Sequence, residues 1–277
     1  MVKTPIETSE RATHRLDPQF LVWLLGLIAL TGGGVLWLRH DNVNIFEGFA
    51  WQELLIGYSP LLSALIVIAL WRGRGAAALG ASLRKWRIGV HWYLLAIVFP
   101  FVLMFVAHFV VAMTHREFSS QWPAPHWMAP LGMLGSIMAG SVGEEIGWRG
   151  FAQPLLQKSV GALTASVVLG VIWALWHLNA ELTTSQPVAA FLAGAPLAFL
   201  RMIATAVLYG WLYVRTGASL PVVMLAHAGH NVAVGMLPFS EDSDDVVGAT
   251  AICALYALAA VPVAWSLWLG QGSQGRA

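Results

Sequence analysis

Charge is what this chain has least of. Lysine and arginine number 15, aspartate and glutamate 14, together 10% of 277 residues, and the formal net charge is +1. So even a balance offers no basic surface to a phosphate backbone, and nucleic acid drops out as a partner. Cysteine is as scarce: Cys253, in the last apolar run, is the one thiol, which excludes an intrachain disulfide and a thiolate zinc cluster. Internal repeats and long polar linkers are missing too, so nothing divides the chain. What remains is apolar. Hydrophobic residues make up 58% and the mean hydropathy is +0.69, with runs that repeatedly reach about 18 residues or more, enough for a helix to cross a bilayer.

The expected fold is therefore all-α: a single polytopic transmembrane helical bundle of about eight spans occupying residues 19–269, between a polar cytoplasmic tail over 1–18 and a short tail over 270–277. The spans are read at Gln19 to Leu38, Leu54 to Trp71, Ile88 to Met113, Ala129 through about Lys158, Ala162 to Leu178, Pro196 to Val214, Leu220 to Leu237, and Val246 to Leu269. The first run exceeds a signal-peptide core, and Leu38-Arg39-His40-Asp41 after it is no small-x-small cleavage site, so it is read as retained. Trp23, Trp37, Trp71, Trp92, Trp127 and Trp268 sit at run ends, as interfacial aromatics do.

Basic residues orient the set. With the N-terminal tail in the cytoplasm, the inside segments hold Lys3, Arg11, Arg15, Arg72, Arg74, Arg84, Lys85, Arg87, Lys158, Arg215 and Arg276, and the outside loops hold Arg39 and Arg116. That bias obeys the positive-inside rule with both termini cytoplasmic, and a bacterial plasma membrane suits the compact loops. The acidic cluster Glu241, Asp242, Asp244 and Asp245 falls outside, where it reads as a solvated loop. Arg201 is expected to snorkel from the sixth span to the outer interface.

Against this background Gly143-Glu144-Glu145-Ile146-Gly147-Trp148-Arg149-Gly150 stands out, since it puts two carboxylates and a guanidinium inside an apolar run. Each intramembrane charge costs roughly 2.5 to 3.5 kcal/mol on insertion scales, so such groups are paired and face inward. Glu145 and Arg149 are i and i+4 with the acid N-terminal, the favourable order for a supporting ion pair. Two further polar sets lie in later spans: Trp173-x-x-x-His177, and His227-x-x-x-Asn231, whose ends project from one helix face. His230 points elsewhere. A fourth helix running past Arg149 to about Lys158 and turning at Ser159-Val160-Gly161 would bring Glu144 and His177 to one depth, each roughly 24 Å of rise from the turn. That geometry requires almost thirty residues of helix through Pro154.

A glutamate, two histidines and an asparagine supply what peptide hydrolysis needs: a base for water and donors for the oxyanion. Glu144 is assigned as general base assisted by His177, and His227 with Asn231 as the oxyanion pair. The same Glu144, His177 and His227 would also offer zinc three ligands with water in the fourth position, while a metal-free glutamate mechanism uses identical residues. Both stay open, since the chain has no His-Glu-x-x-His motif.

Glu144-Glu145-x-x-x-Arg149, Trp173-x-x-x-His177 and His227-x-x-x-Asn231, in that order, resemble the motifs of the CAAX prenyl protease and bacteriocin-processing (CPBP, or abortive-infection) family of intramembrane endopeptidases. The stretch Leu212 to Pro221 is also similar to what that family carries there, and the resemblance covers about residues 129–237. Trp173 stands where many members have phenylalanine. The resemblance implies an intramembrane protease, glutamate-type or metallo, with Glu144 catalytic, acting on peptide or protein substrates at the lipid bilayer, prenylated CAAX-type or bacteriocin-like. Two other readings of the buried charges are an ion-coupled transporter and a catalytically silent immunity or scaffold protein.

Overall fold

A computed structural model of the chain describes residues 15–41, 51–115, 129–183, 188–236 and 246–274. The acidic cluster at 241–245, most of the N-terminal tail, Arg116 and Arg276 lie outside the described residues. The described residues form an all-α membrane bundle. Its helices are α1 (Pro18–His40), α2 (Trp51–Gly57), α3 (Ser59–Leu70), α4 (Ala76–Leu83), α5 (Val90–His115), α6 (residues 129–160), α7 (Ala162–Thr183), α8 (Val188–Arg215), α9 (Leu220–Met236) and α10 (Val246–Gln274). Pro18–His40, Val90–Thr114, Pro196–Arg215 and Val247–Gly270 are long and apolar enough to cross a membrane; Ser59–Leu70, Ala162–Leu178 and Leu220–Val234 are shorter apolar helices.

Local chemistry fixes the boundaries. Asp17 caps α1 by accepting from the Gln19 amide at 2.8 Å, with Pro18 in the first turn, where a missing N–H costs nothing. The expected single span from Leu54 to Trp71 is instead broken at Tyr58 into α2 and α3. Pro60 causes the break, because its ring nitrogen has no hydrogen for the Ile56 carbonyl; the Ser59 hydroxyl donates to that carbonyl at 2.7 Å instead. The loop expected after Trp71 contains α4, reached through a turn with Arg72, Gly73 and Gly75 all at positive φ. The sixth span starts at Val188, earlier than Pro196, and the last continues to Gln274, into what was read as a tail. A proline early in a helix costs one backbone hydrogen bond, which neighbouring helices can compensate, so Pro196 marks no start.

α6 is the axis of the bundle. It runs unbroken from Ala129 to Val160 through two π-helical stretches, Ile137–Ser141 and Ile146–Ala152, that bracket the paired glutamates. Pro154 is accommodated in the first turn after the second stretch, and Gly161, at φ 81°, turns the chain into α7. The wide π turns re-aim the side chains that follow them. Everything from Gly143 to Ala152 is buried. Trp148 meets Trp23 of α1 edge-on at 5.1 Å and Trp176 of α7 at 6.1 Å, while the Trp23 indole donates to the Pro60 carbonyl at 3.0 Å. The outward faces of α1, α5 and α10, with Leu25, Ile28, Val98, Phe105, Leu258 and Trp265, are exposed and apolar, a surface made for hydrocarbon.

Gly147 lets α6 lie directly on α3. A Cβ there would stand 2.3 Å from the Pro60 carbonyl carbon, so Gly147→Ala forces backbones apart and should cost about 1 to 3 kcal/mol, as overpacking does. Gly32→Ala, whose Cβ meets nothing within 4 Å, should be neutral or slightly stabilising. Thermal denaturation midpoints in detergent will separate the two.

Candidate functional site

The site grows out of one geometric fact: adjacent residues on a helix point about 100° apart, so Glu144 and Glu145 serve different neighbours. Glu145 is fully buried. Its Oε1 accepts from Arg149 Nη1 at 2.9 Å, the ion pair expected from spacing, and also from His227 Nδ1 of α9 at 2.9 Å. A carboxylate can only accept, so Nδ1 carries the hydrogen and Nε2 is turned to the other side of the ring. There it lies 3.9 Å from Glu144 Oε1. The second glutamate thus orients the histidine that the first one faces.

Arg149 is 1% exposed, and its remaining guanidinium N–H groups find aromatic faces rather than acceptors. The guanidinium carbon lies 5.0 Å from the Trp173 ring centre and 5.2 Å from that of Tyr209 on α8, a cation held between two π faces. Trp173 in turn donates its indole N–H to Glu144 Oε2 at 2.6 Å. The contacts close on themselves, from Glu144 to Trp173, Arg149, Glu145, His227 and back to Glu144. Both rings also brace His227, whose centroid is 5.5 Å from Trp173 and 5.7 Å from Tyr209.

The α6–α7 hairpin sets the register. Gln153 meets Ser166 and Glu144 meets Trp173, so the indole, one turn inward of His177, holds the Glu144 carboxylate. His177 is partly exposed. Its Nδ1 sits 3.0 Å from the Trp173 carbonyl, an acceptor, which leaves the Nε2 lone pair facing outward from the hydrogen-bonded edge. Asn231 is exposed at the rim, and a Cβ added to Gly140 would lie 3.7 Å from its Nδ2 and 3.9 Å from Glu144 Oε1, so both groups border the same small gap. His230 faces α10, where its Nδ1 pairs with the Tyr256 hydroxyl.

The structure therefore gathers Glu144, Glu145, Arg149, Trp173 and His227 into one network, with His177 a turn outward and Asn231 across Gly140. Sequence reasoning missed Tyr209 and gave Trp173 no role beyond its motif position. Tyr209 carried no local signal, being one aromatic in an apolar helix. The indole N–H of Trp173, absent from a phenylalanine, was the cue available there.

Zinc can be tested against this donor set. His227 Nδ1 is committed to Glu145 and Glu144 Oε2 to the Trp173 indole, which leaves His227 Nε2 and Glu144 Oε1 as the donors turned toward each other. Among the described residues no three His, Cys, Asp or Glu side chains converge as a metal-holding group, so the donors are not gathered as a zinc centre requires.

Residues 125–233 match the family model described as type II CAAX prenyl endopeptidase, Rce1-like. A stretch of 41 residues is 39% identical to CAAX prenyl protease 2 of Methanococcus maripaludis, and spans 15% of this chain and 15% of that protein. The matched segment encloses every member of the network.

Removing Arg149 should be the severest change in the network. Arg149→Ala leaves Glu145 buried beside His227 alone, and breaking one half of such a pair costs about 3 to 5 kcal/mol. The expected outcome is loss of folded protein from detergent-solubilised membranes, partly restored in Arg149→Ala/Glu145→Gln; size-exclusion profiles and melting midpoints of the single and double variants measure the coupling.

Proposed function

We propose that the chain, which matches the type II CAAX prenyl endopeptidase model over residues 125–233, is a CPBP-family intramembrane endopeptidase that hydrolyses peptide bonds of membrane-associated proteins. The observation that carries this reading is the convergence of Glu144 and His227 at 3.9 Å beside a rim that holds His177 and Asn231. A desolvated carboxylate with a fixed hydrogen-bond donor on one oxygen and a histidine facing the other is suited to proton transfer.

Glu144 takes a proton from water, with His177 Nε2 as the second acceptor that positions it. The water oxygen adds to the scissile carbonyl carbon, and the resulting oxyanion is met by Asn231 Nδ2 and His227 Nε2. For Nε2 to donate while Nδ1 is bound to Glu145, the ring carries both protons, a charge that the flanking glutamates compensate. The carbon–nitrogen bond then breaks, and the proton held on Glu144 passes to the departing amine. Glu145, Arg149, Trp173 and Tyr209 do not touch substrate; they hold the two reacting side chains in register. This mechanism uses the chain's own side chains and assigns no step to a metal.

Prenylated CAAX-type proteins, or bacteriocin-like peptides processed in self-protection, are the substrate classes this reading favours. The membrane is a bacterial plasma membrane with both termini cytoplasmic, in keeping with the basic residues Arg72, Arg74, Arg84 and Lys85 on the side that carries the α6–α7 turn.

Cleavage of a fluorescent S-farnesylated CAAX peptide by protein in nanodiscs provides the test. Glu144→Gln and His227→Ala should each lower kcat by about a thousandfold or more, since both remove a group acting only in the transition state, with KM little changed. Prolonged dialysis against a zinc chelator should leave the wild-type rate unchanged. Wild-type turnover by Glu144→Gln sinks the assignment, and a rate abolished by chelation and restored by zinc sinks the metal-free mechanism.

A further inference from the structure

A cavity of about 660 Å³ opens at the end of the bundle that carries the α6–α7 turn, within the range of roughly 300 to 1,000 Å³ that small-molecule pockets occupy. None of Glu144, Glu145, Arg149, Trp173, Tyr209 or His227 lines it. It is enclosed by the start of α1, by α4 with its flanking turns, by the closing stretch of α6, and by Tyr213 and the α8–α9 turn. Three cations reach it from different segments: Arg74 before α4, Lys85 after it, and Lys158 at the end of α6. Among the described residues that line it Asp17 is the one carboxylate, and its Oδ1 accepts from the Gln19 amide at 2.8 Å in capping α1. Lys85 is held in place from both ends, since its Nζ donates to the Gly217 carbonyl and its own carbonyl accepts from the Ser219 hydroxyl at 2.6 Å. An ammonium has three N–H groups, so two remain for a ligand.

Exposed cations by themselves follow from the positive-inside bias and need no ligand. Here they surround a concave space to which other groups contribute. Gly75 and Ala78 bring the first turn of α4 to its wall, and no side chain caps that turn, so its amide dipoles add positive potential. The Ser82 and Tyr213 hydroxyls, also on the wall, pair at 3.3 Å, which uses one of their two hydrogens. Phe151, Pro154, Leu155 and Ala218 supply an apolar floor. We propose that this cavity binds a phosphate-bearing ligand, with the phosphate oxygens between Arg74, Lys85 and Lys158 and the organic part on the floor. Phosphate suits the donors better than carboxylate does, because it has oxygens enough for a bidentate arginine and for two lysines acting as point charges. Two sources carry that chemistry, the headgroup of a phospholipid and a soluble phosphate ester. Leu83 and Trp86, exposed at the end of α4, place the mouth at the level of lipid headgroups. Gly150 and Phe151 directly follow Arg149, so a ligand here braces the ion-pair segment of α6 from outside the network. The proposal stands apart from the endopeptidase reading, and its test reads no cleavage.

The full chain in neutral detergent is titrated with short-chain phosphatidylglycerol, phosphatidylcholine of the same chains, glycerol 3-phosphate and inorganic phosphate, all at one ionic strength set with chloride. Melting midpoints followed by tryptophan fluorescence report binding to the folded state. Phosphatidylglycerol should give a saturable rise of about 5 °C or more over the chloride control and over phosphatidylcholine, whose choline adds a further cation. The double variant Arg74→Gln/Lys158→Gln should weaken apparent affinity at least about tenfold. Ala78→Phe, which fills the cavity and keeps every charge, should do the same. Arg87→Gln should not, since that guanidinium lies over the Trp86 ring at 5.1 Å and outside the lining. Midpoints and size-exclusion profiles without ligand show that each variant folds. A rise with phosphatidylglycerol alone identifies the lipid headgroup, and an equal rise with glycerol 3-phosphate identifies a soluble ester; either supports the phosphate site. No rise with any phosphate probe overturns it, as does a rise that survives both the double variant and Ala78→Phe. Equal effects of phosphatidylcholine and phosphatidylglycerol, or an Arg87→Gln loss as large as that of the double variant, also overturn it, because chains or diffuse charge would then account for the binding.

Discussion

The contact on which the rest depends is the one between Glu145 and Arg149, an ion pair with both partners out of reach of water. In a bundle whose surroundings are hydrocarbon, neither charge is tolerable alone, and their mutual attraction must offset desolvation. Here Arg149 turns its spare donors to the faces of Trp173 and Tyr209, and Glu145 shares one oxygen with His227 while its other oxygen is buried without a hydrogen-bond partner. Three helices, α7, α8 and α9, are thus pinned to α6 by a single charge pair. Positioning of the reacting residues is a by-product of that pinning: Trp173, fixed by the cation, holds Glu144, and His227, fixed by Glu145, faces it.

Packing makes the pinning possible. The Glu-Glu-Arg segment approaches α3 closely because Gly147 has no side chain to hold the backbones apart, and Gly143 lies against Tyr58 and the Gly57 carbonyl in the same way. The break between α2 and α3 that Pro60 imposes is therefore part of the site, since it shapes the surface on which α6 rests. The two π-helical stretches serve the same end from within α6. By widening the turns on either side of the glutamates they let Gly143 and Gly147 face α3 while Glu144 and Glu145 face α7 and α9.

Much of this was legible in advance, for identifiable reasons. Hydrophobic runs mark spans because hydrocarbon accepts little else, so the bundle and the order of its members follow from the chain. The Glu145–Arg149 pair follows from i,i+4 geometry, and the long reach of α6 from the demand that Glu144 share a depth with the second motif. Three features were hidden. The division of α2 from α3 turned on one proline in a run that composition reads as continuous. Trp173 as hydrogen-bond donor depends on register, since a shift of one turn along α7 exchanges an imidazole for an indole opposite Glu144. The link from Glu145 to His227 joins residues 82 positions apart, and no local pattern encodes it. The glutamate that spacing made purely structural turns out to hold the histidine of the third motif as well.

The network also explains why, among the described residues, the site is more open toward the rim. Inward of Glu144, toward the α6–α7 turn, side chains from Trp148 to Ala152 are buried against α1, α3 and α4, and Gly150 is closed over by Leu79 and Leu220. Outward, Gly140 leaves a gap between Glu144 and Asn231, His177 is partly exposed, and α8 continues past Arg201. Close packing around the buried charges and a more open rim follow from where the charges had to be paired. The ion pair and its aromatic clamps occupy the densely packed depth, so in the proposed reaction a substrate backbone approaches Glu144 from the rim. The arrangement that makes buried charge tolerable in the membrane in this way also leaves Glu144 within reach of the rim.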